Sequence, residues 1–303
     1  MKAFPKIWTA GTRHVADIFD GPVEVTEKVD GSQFGFGKTP DGEFVVRSRG
    51  QVIDPENAQK QFKPAIEHVQ KYQDLINPDT MYYGEVVTSK KHNTLAYESL
   101  PRGYIALFAA GNFDFSEVVN NHEDLQRIAE QFGIDCTPLL FAGNTNREAV
   151  NQMLGQKSFL GGANIEGVVV KRYGTYSLRD ETIPLRSAKI VSAEFQEKHT
   201  GRRSVREKGE DRWQAYLEDF RTEARWRKAV EHLRDSGELD GCASDIGPLL
   251  REVHHDIDEE YKDEIMEKLW QLHKKDVYQT ATRGFAVWYK DYLLSCTNNS
   301  PTF

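Results

Sequence analysis

Residues 23–37 read VEVTEKVDGSQFGFG, and the interpretation of the whole chain begins from this stretch. Apolar and polar residues alternate along it, which predicts a β-strand. The alternation puts Lys28 and Asp30 on the same face, directly before Gly31, where the backbone can turn. This pattern predicts a lysine at the end of a strand, facing a pocket. Taken alone, Lys-x-Asp-Gly is a weak signal, because lysines are common on half-exposed strands.

The composition favours a soluble protein of two domains. The chain has 303 residues, of which 39% are hydrophobic and 28% charged, enough for one or two ordinary cores. Its apolar segments are shorter than the roughly 20 residues of a membrane span, and residues 1–14 lack the apolar core of a signal peptide. We therefore expect a cytoplasmic protein without a membrane partner.

Charge and cysteine content exclude several classes of site. The net charge of −8 argues against an indiscriminate polyanion binder, although a local basic groove remains compatible with it. Cys136, Cys242 and Cys296 lie far apart, with no C-x-x-C motif. We predict neither a disulfide framework nor a zinc site, and interpret these cysteines as reduced packing residues.

A hairpin follows the lysine strand. Predicted strands at 34–38 and 43–49 flank residues 39–42, whose Asp-Gly pair is typical of a tight turn. The return strand carries Arg47 and Arg49 on one face.

The remaining pattern up to residue 195 is of strands with interspersed helices. The predicted helices are 54–72, opened by Asp54 and Pro55 and kinked or divided at Pro64; 117–132, ending at Gly133; and one that begins at a capping box of Thr145 and Glu148 and closes at Gly155. The predicted strands are 81–87, 104–109, 166–171 and 185–191.

The sequence pattern changes near residues 196–210, which are mostly polar and charged. Beyond them, apolar residues recur with a helical period. We predict domains at 1–198 and 199–303. In the charged linker, Arg202, Arg203, Arg206 and Lys208 either contact the phosphates of a nucleic acid or are simply solvated. The run 256–260 predicts an acidic helix surface.

Five signals occur in order along the first domain. They are Lys28-x-Asp30-Gly31, the run Arg47-Ser48-Arg49-Gly50, Tyr83-Gly84-Glu85, the strand around Phe108, and Glu166-Gly-Val-Val-Val-Lys171 followed by Lys189. This ordered set resembles the covalent nucleotidyltransferase superfamily of ATP-dependent ligases and capping enzymes. Within it, residues 4–198 are most similar to the RNA ligase branch that includes phage RNA ligase 2 and the kinetoplastid RNA-editing ligases.

The resemblance implies an α+β fold and a nucleotide site. The first domain would be an ATP-grasp-like adenylylation domain of antiparallel sheets with flanking helices, followed by an all-α domain. Lys28 would be the nucleophile, assisted by Lys171 and Lys189. The residues implied to bind the nucleotide are Glu27 at the base end, Asp30, Arg49, Glu85 on the ribose, Phe108 stacked on adenine, Lys171 and Lys189.

The chemistry of adenylylation can be argued from the residue types. An amine attacks the α-phosphate only when unprotonated, and taking Lys28 from a pKa of about 10.4 to near 7 requires roughly 4–5 kcal/mol. Burial and nearby cations can supply this. Positive groups would also balance charge on the phosphates. Glu166 is the expected carboxylate on the side of a Mg²⁺ or Mn²⁺ ion.

Several residues have a structural alternative. Phe108 lies in an apolar strand and could be a core aromatic. Glu85 follows a glycine amid apolar residues, where a carboxylate needs a partner. Glu166 and Lys171 could be a charge pair at a strand edge, although strict alternation places them on opposite faces. Arg47 and Arg49 compete for one role, with Arg49 favoured.

The last motif departs from the family pattern. The family has Lys-x-Lys, whereas residues 185–191 read LRSAKIV. Lys189 could fill either lysine position, its partner then being Ser187 or Val191, and Arg186 could substitute from the neighbouring position.

The function implied is an ATP-dependent RNA ligase that joins 5′-phosphate and 3′-hydroxyl ends of RNA through lysyl-AMP. Alternatives are a DNA or mixed-substrate nick ligase, and a non-catalytic binder of nucleotides or RNA ends on the same fold. The helices after residue 198 disfavour DNA ligases and capping enzymes, which usually carry a β-rich OB barrel there. The sequence leaves the oligomeric state open.

Overall fold

A computed structural model describes residues 3–178, 181–196 and 209–298. The strands are β1 (Trp8–Thr9), β2 (Val23–Lys28), β3 (Ser32–Lys38), β4 (Phe44–Ser48), β5 (Val52–Ile53), β6 (Thr80–Val86), β7 (Ile105–Asn112), β8 (Asp135–Cys136), β9 (Leu139–Gly143), β10 (Gly167–Leu178) and β11 (Glu181–Val191). The α-helices are α1 (Lys63–Gln70), α2 (His122–Gln131), α3 (Arg147–Asn151), α4 (Gly209–Glu218), α5 (Glu223–Asp235), α6 (Ile246–Ala281) and α7 (Phe285–Asn298).

The strands form two sheets. One has the order β1-β11-β10-β2-β9, and the other β5-β4-β3-β6-β7-β8. Pairing is antiparallel except at two short edges, where β1 lies parallel to β11 and β8 parallel to β7. The α+β class with antiparallel sheets is confirmed, as is the all-helical character of the described residues from 209 onward.

The chain crosses from one sheet to the other immediately after Lys28. Strand β2 belongs to the first sheet and β3 to the second, so residues 29–31 bridge the two. A Cβ atom on Gly31 would lie 2.8 Å from the carbonyl oxygen of Val86, which explains why glycine stands there. The predicted end of the strand therefore lies where the sheets meet.

Each sheet has its own hydrophobic core. The second sheet packs against α1 and α2 through Phe34, Phe36, Phe62, Ile66, Leu125 and Phe132, among others. The first sheet buries Val25, Val168, Val170 and Ile190 together with Trp8 and Ile18. These cores hold β2 and β10 rigidly beside each other, which positions the side chains at the junction.

The helices from residue 209 onward are held to one another by charged as well as apolar contacts. Tyr216, Phe220 and Tyr261 form a small aromatic core between α4 and α6. The buried Arg225 pairs with Asp256, while Lys228 lies 2.6 Å from Asp256. The prediction of an acidic surface at 256–260 is therefore wrong at its two ends, since Asp256 and Glu260 are both buried.

Three predicted helix starts are also wrong. The helix placed at 54–72 begins only at Lys63, because Pro64 occupies the first turn rather than the middle, where it would cost a hydrogen bond. Helix α2 begins after Asn121, whose side chain accepts from the Asp124 backbone. Helix α3 is capped by Asn146 instead of Thr145.

Among the described helices, none combines the length and the apolar character needed to cross a membrane. Cys136 is partly buried and Cys242 is exposed, and both are free thiols. The linker residues Arg202, Arg203, Arg206 and Lys208 lie outside the described residues.

Candidate active site

A cavity of about 330 Å³ opens at the junction of the two sheets. The residues predicted from sequence that line it are Lys28, Asp30, Arg49, Glu85, Phe108, Glu166 and Lys189. Signals separated by up to about 160 positions in the chain thus meet at one place. Glu27 and Lys171 are the two predicted site residues that do not line it.

Lys28 forms an ion pair at the floor of the cavity. Its Nζ lies 2.6 Å from Oε2 of Glu166. Gly167, which follows Glu166, is in register with Lys28 across β10 and β2, so the two side chains are neighbours. Desolvation alone would lower the pKa of Lys28, but the carboxylates of Glu166 and Glu85 raise it above its usual value. Without ligands Lys28 is therefore an ammonium, the opposite of what the nucleophile requires.

The carboxyl groups around Lys28 differ in their surroundings. Burial raises the pKa of Glu85 to about 8, and the Lys28 ammonium offsets only part of this shift. Asp30 is held by the segment that follows β6, since its Oδ2 accepts from the backbone N–H groups of Thr94 (2.8 Å) and Leu95 (2.7 Å). Asp30 therefore orders the loop at the cavity, whereas Glu85 and Glu166 are the carboxylates nearest the lysine charge.

Phe108 lines the cavity and is also part of an aromatic cluster. Its ring meets that of Phe4 edge-on, with the ring centroids 4.9 Å apart. Only 7% of Phe108 is exposed. Both readings of this residue, core aromatic and cavity wall, are compatible with its place in the structure.

Lys171 lies behind the cavity wall. Five positions separate it from Glu166, an odd number that places it on the other face of β10. Its buried Nζ donates to the carbonyl oxygen of Phe108 at 2.6 Å, and burial lowers its pKa to about 8. The Lys171 ammonium therefore does not reach the cavity. Its hydrogen bond instead ties β10 to the backbone of Phe108.

Glu27 likewise points elsewhere. Its carboxylate accepts from Ser158 Oγ at 2.5 Å and from the Phe159 backbone N–H at 3.1 Å. Alternation along β2 puts it on the opposite face from Lys28. It anchors the loop before β10, and any base contact would have to come from other residues.

The two arginines of the return strand have different surroundings. Arg49 lines the cavity, with Nη1 2.6 Å from Nε2 of His232. Arg47 is buried and donates from Nε to the Ser48 carbonyl and from Nη2 to the Arg49 carbonyl. This placement favours Arg49 for contact with a ligand and leaves Arg47 to shape the turn.

The last motif delivers a single lysine to the cavity. Lys189 lines it, with Nζ 4.0 Å from Glu260. Val191 also lines it, whereas Ser187 does not, so the position two residues after Lys189 reaches the cavity without a charge. Arg186 is ion-paired with Asp17 away from the cavity and does not replace the second lysine.

Sequence reasoning missed the contribution of Lys6. This residue lines the cavity, lies 3.6 Å from Glu260 and stands 4.9 Å from the centre of the Trp8 ring. Burial lowers its pKa despite the nearby Glu260 carboxylate. Lys6 precedes the short strand β1, and no pattern in the sequence distinguishes it from a surface lysine.

One wall of the cavity comes from the helical region, which was also not predicted. It consists of Ala224, Arg227, Lys228, Glu231, His232 and Asp235 on α5, with Glu260 on α6. The α5 residues recur every three or four positions, which places them on one face. Their polar spacing could have been noticed, but it is equally typical of a solvated face.

The end of α5 is attached to the second sheet by hydrogen bonds. Oδ1 of Asp235 accepts from Ser32 Oγ at 3.0 Å and from Gln61 Nε2 at 2.8 Å. Arg234 donates to Asn93 Oδ1 at 2.6 Å. These contacts hold α5 against the cavity mouth.

Taken together, the cavity can hold an anion and a hard cation side by side. Lys6, Arg49 and Lys189 provide positive charge, and the oxygens of Glu85 and Glu166 are ligands of the type that Mg²⁺ and Mn²⁺ prefer. The Lys28 amine lines the same cavity, in contact with Glu166. This donor set suits a metal-bound nucleotide phosphate.

Comparison with known proteins identifies the family. The family described as RNA ligase matches residues 21–191, more than half of the chain and the part that contains Lys28, Glu85, Glu166 and Lys189. The chain belongs to the RNA ligase family. No curated protein matches the sequence.

A solved structure shows a similar fold. An RNA ligase of Naegleria gruberi determined with PPi superposes with a TM-score of 0.50 at 20% identity, over 67% of this chain and 59% of that one. Variants of the same enzyme with ATP and Mn, and with AMP and Mn, each give a TM-score of 0.49 at 19% identity, with the same coverage. The chain therefore spans about 59% of the length of these relatives.

Proposed function

We propose that this protein is an ATP-dependent RNA ligase that joins a 5′-phosphate to a 3′-hydroxyl through lysyl-AMP and 5′-adenylylated RNA. The observation that carries the proposal is the Lys28–Glu166 pair, at 2.6 Å, in a cavity lined by five further lysine and arginine side chains. A protein that only binds nucleotides does not need an amine at this place.

In the first step, Nζ of Lys28 attacks the α-phosphorus of ATP. A P–N bond forms, the bond from the α-phosphorus to the bridging oxygen breaks, and pyrophosphate leaves. The Lys28 ammonium must first lose one proton to solvent, which requires its ion pair with Glu166 to break, and the attacking nitrogen loses a second proton to solvent as the P–N bond forms. Lys6, Arg49 and Lys189 lie where they can balance the charge of the departing pyrophosphate.

Glu166 would hold the divalent metal. When bound, such an ion supplies positive charge to the phosphates and lowers the pKa of nearby groups. The Glu166 side chain offers only oxygen ligands and stands directly before strand β10.

The nucleoside would lie between Glu85 and Phe108. Glu85 is the carboxylate available to a ribose hydroxyl, and the Phe108 ring is the aromatic surface available to adenine. We assign Lys171 the role of a positioning residue, because it holds the Phe108 carbonyl. Glu27 would act similarly, by ordering the loop at residues 158 and 159.

The second and third steps transfer and then release AMP. A 5′-phosphate oxygen of RNA attacks the phosphorus of lysyl-AMP, breaking the P–N bond and returning the amine. A 3′-hydroxyl, losing its proton, then attacks the 5′-phosphorus and expels AMP. We infer that residues 1–198 form the unit for the first step and that the helices from 199 to 303 position the RNA.

A sealing assay tests this function. RNA with 5′-phosphate and 3′-hydroxyl ends, ATP and Mg²⁺ should give joined RNA and AMP, whereas Lys28→Ala should give none. The same ends in DNA provide the comparison for substrate class. Absence of joined RNA across nicked duplex, hairpin and single-stranded substrates would overturn the proposal.

A further inference from the structure

The second half of α6 and the whole described surface of α7 project from the body of the protein. Tyr261 is the last buried residue of α6, and Ile265 packs only partly against the aromatic core. Every residue from 266 to 294 is exposed or only partly buried. We call residues 268–290 the helical tip. Its surface is not needed to complete any core described above.

Large aromatic side chains cover the helical tip and continue along α7. Their exposed fractions are 44% for Trp270, 57% for Tyr278, Phe285 and Trp288, 46% for Tyr289 and 50% for Tyr292. Along α7 the rings stack on rings four positions later. Phe285 stacks with Tyr289 and Trp288 with Tyr292, at centroid separations of 5.9 and 5.6 Å. Flat apolar faces are thus presented to solvent in succession.

The net charge changes sign between the first part of α6 and the helical tip. Residues 246–265 contain seven acidic and two basic residues, whereas the helical tip contains five basic residues and one acidic residue, flanked by Glu267 and Asp291. The five are Lys268, Lys274, Lys275, Arg283 and Lys290. In a chain of net charge −8, this is a local concentration of positive charge.

We propose that the helical tip and the α7 aromatics form a docking surface for single-stranded RNA, remote from the reacting end. The inference rests on the proposed function, which makes RNA the substrate. Stacked aromatic faces combined with basic side chains are what a flexible polyanion with exposed bases requires. A second copy of this chain would instead bring two positively charged tips together, which like-charge repulsion opposes.

The position of this surface predicts a dependence on RNA length. Glu260 lies at the cavity, and α6 continues to Ala281, which at about 1.5 Å per residue is roughly 30 Å further. A strand with a rise of about 3.4 Å per nucleotide needs roughly nine nucleotides to cover this distance. Only longer RNA can therefore occupy the cavity and the helical tip together.

Binding of two RNAs tests the proposal in the full-length protein. One single-stranded 5′-phosphate RNA has about 24 nucleotides and the other about 6, on either side of the calculated reach. Trp288→Ala with Tyr292→Ala should weaken binding of the long RNA by about tenfold or more and leave the short RNA unchanged. Trp288→Phe with Tyr292→Phe, which keeps the rings, should restore most of the affinity.

The charged residues have a separate readout. Lys274→Glu with Lys275→Glu should reduce the slope of log affinity against log salt by about 1.4 for the long RNA, at about 0.7 per phosphate contact. Lys60→Glu with Lys63→Glu is the matched control. It makes the same charge change at exposed positions beside and on α1, away from the cavity, and should leave the slope closer to that of the wild type.

Three results would overturn the docking surface. They are unchanged affinity of the alanine pair for long RNA, equal weakening for short and long RNA, and a concentration-dependent dimer that the alanine pair abolishes while RNA affinity stays the same. Lysyl-AMP formation is measured on the same samples. A wild type that makes no lysyl-AMP but shows the length-dependent loss would refute the proposed function and keep the docking surface. A wild type that ligates RNA, with tip variants that bind long RNA as well as it does, would keep the proposed function and refute the docking surface.

Discussion

At Lys28, the same carboxylates that build the site also hold the amine in its unreactive form. Glu166 and Glu85 stabilise the ammonium, whereas adenylylation needs the free amine. In the proposed reaction, the Lys28–Glu166 ion pair would be a resting arrangement that must break before the amine can attack. The two glutamates stabilise the ammonium in different ways. Glu166 accepts a hydrogen bond from Lys28, whereas Glu85 acts on it through its charge.

We expect the two glutamates to respond differently to metal. Glu166→Gln should slow adenylylation and raise the Mg²⁺ concentration needed, with little change in ATP binding, because it removes the charged metal ligand. Glu85→Ala should mainly weaken ATP binding. Mg²⁺ titrations of lysyl-AMP formation, alongside ATP binding measured by calorimetry, distinguish them. Identical Mg²⁺ curves would refute separate roles.

Glu85 should also make the stability of the ligand-free protein depend on pH. Its pKa is about 8 in the folded protein against an ordinary 4.5, so between these values the folded state keeps a proton that the unfolded state has lost. This contribution to stability therefore falls as pH rises from 4.5 to 8. Glu85→Gln should raise Tm relative to wild type more at pH 8.5 than at pH 5. An advantage that is constant across this range would contradict the shift.

Among single residues, alternation carried most of the predictive value. It placed Lys28 and Glu85 on strand faces that prove to line the cavity, and it separated Glu166 from Lys171. It could not reveal that Lys171 and Glu27 are satisfied by a carbonyl and by a loop, because those partners are distant in sequence. Their roles, and those of all the proposed site residues, stay predictions.

At the scale of elements, α5 is the part that local pattern could not place. Its periodicity predicts a helix, but its position over the cavity depends on contacts between Asp235 and two residues more than 170 positions earlier. The strands were easier, because their sequences alternate and their pairing is mostly between neighbours. The starts of α1, α2 and α3 were missed where the capping residue or the proline position was misassigned.

Asp235→Ala should loosen α5 from the second sheet. It removes the acceptor that Ser32 and Gln61 share, and with it both hydrogen bonds from Asp235 to the second sheet and its flanking segment, which costs roughly 1–3 kcal/mol. Amide hydrogen exchange in residues 223–235 should become faster by about fivefold to a hundredfold. Glu223→Ala, at the exposed start of the same helix, is the control. Equal exchange in Asp235→Ala and wild type would mean that these bonds do not hold the helix.

At the scale of the whole molecule, the cavity has two kinds of wall. Lys28, Glu166 and Lys189 lie in or beside the sheets, whose two largest cores contain only residues between 8 and 190. The α5 wall and Glu260 belong to the helical region. Sequence alone indicated both regions but not their contact. The polar and charged segment 199–212 between them has no motif that predicts how the helices pack against the sheets.

A protein that ends at residue 196 should still form lysyl-AMP, since the amine and its carboxylates remain. It should join RNA ends poorly, because lost positioning of two reactants can cost several kcal/mol of barrier. Circular dichroism confirms folding before labelling and sealing are measured. Sealing as fast as that of the full chain would show that the helices do not position RNA.

The most direct test of the central claim is the covalent intermediate itself. Incubation with α-labelled ATP and Mg²⁺ should transfer label to the peptide that contains Lys28, in a P–N linkage that added pyrophosphate reverses, and α-labelled GTP should not replace ATP. Lys28→Ala and Lys28→Arg should remain folded and unlabelled, since a guanidinium stays protonated at any working pH. Label on another residue, or persisting in Lys28→Ala, would contradict the account.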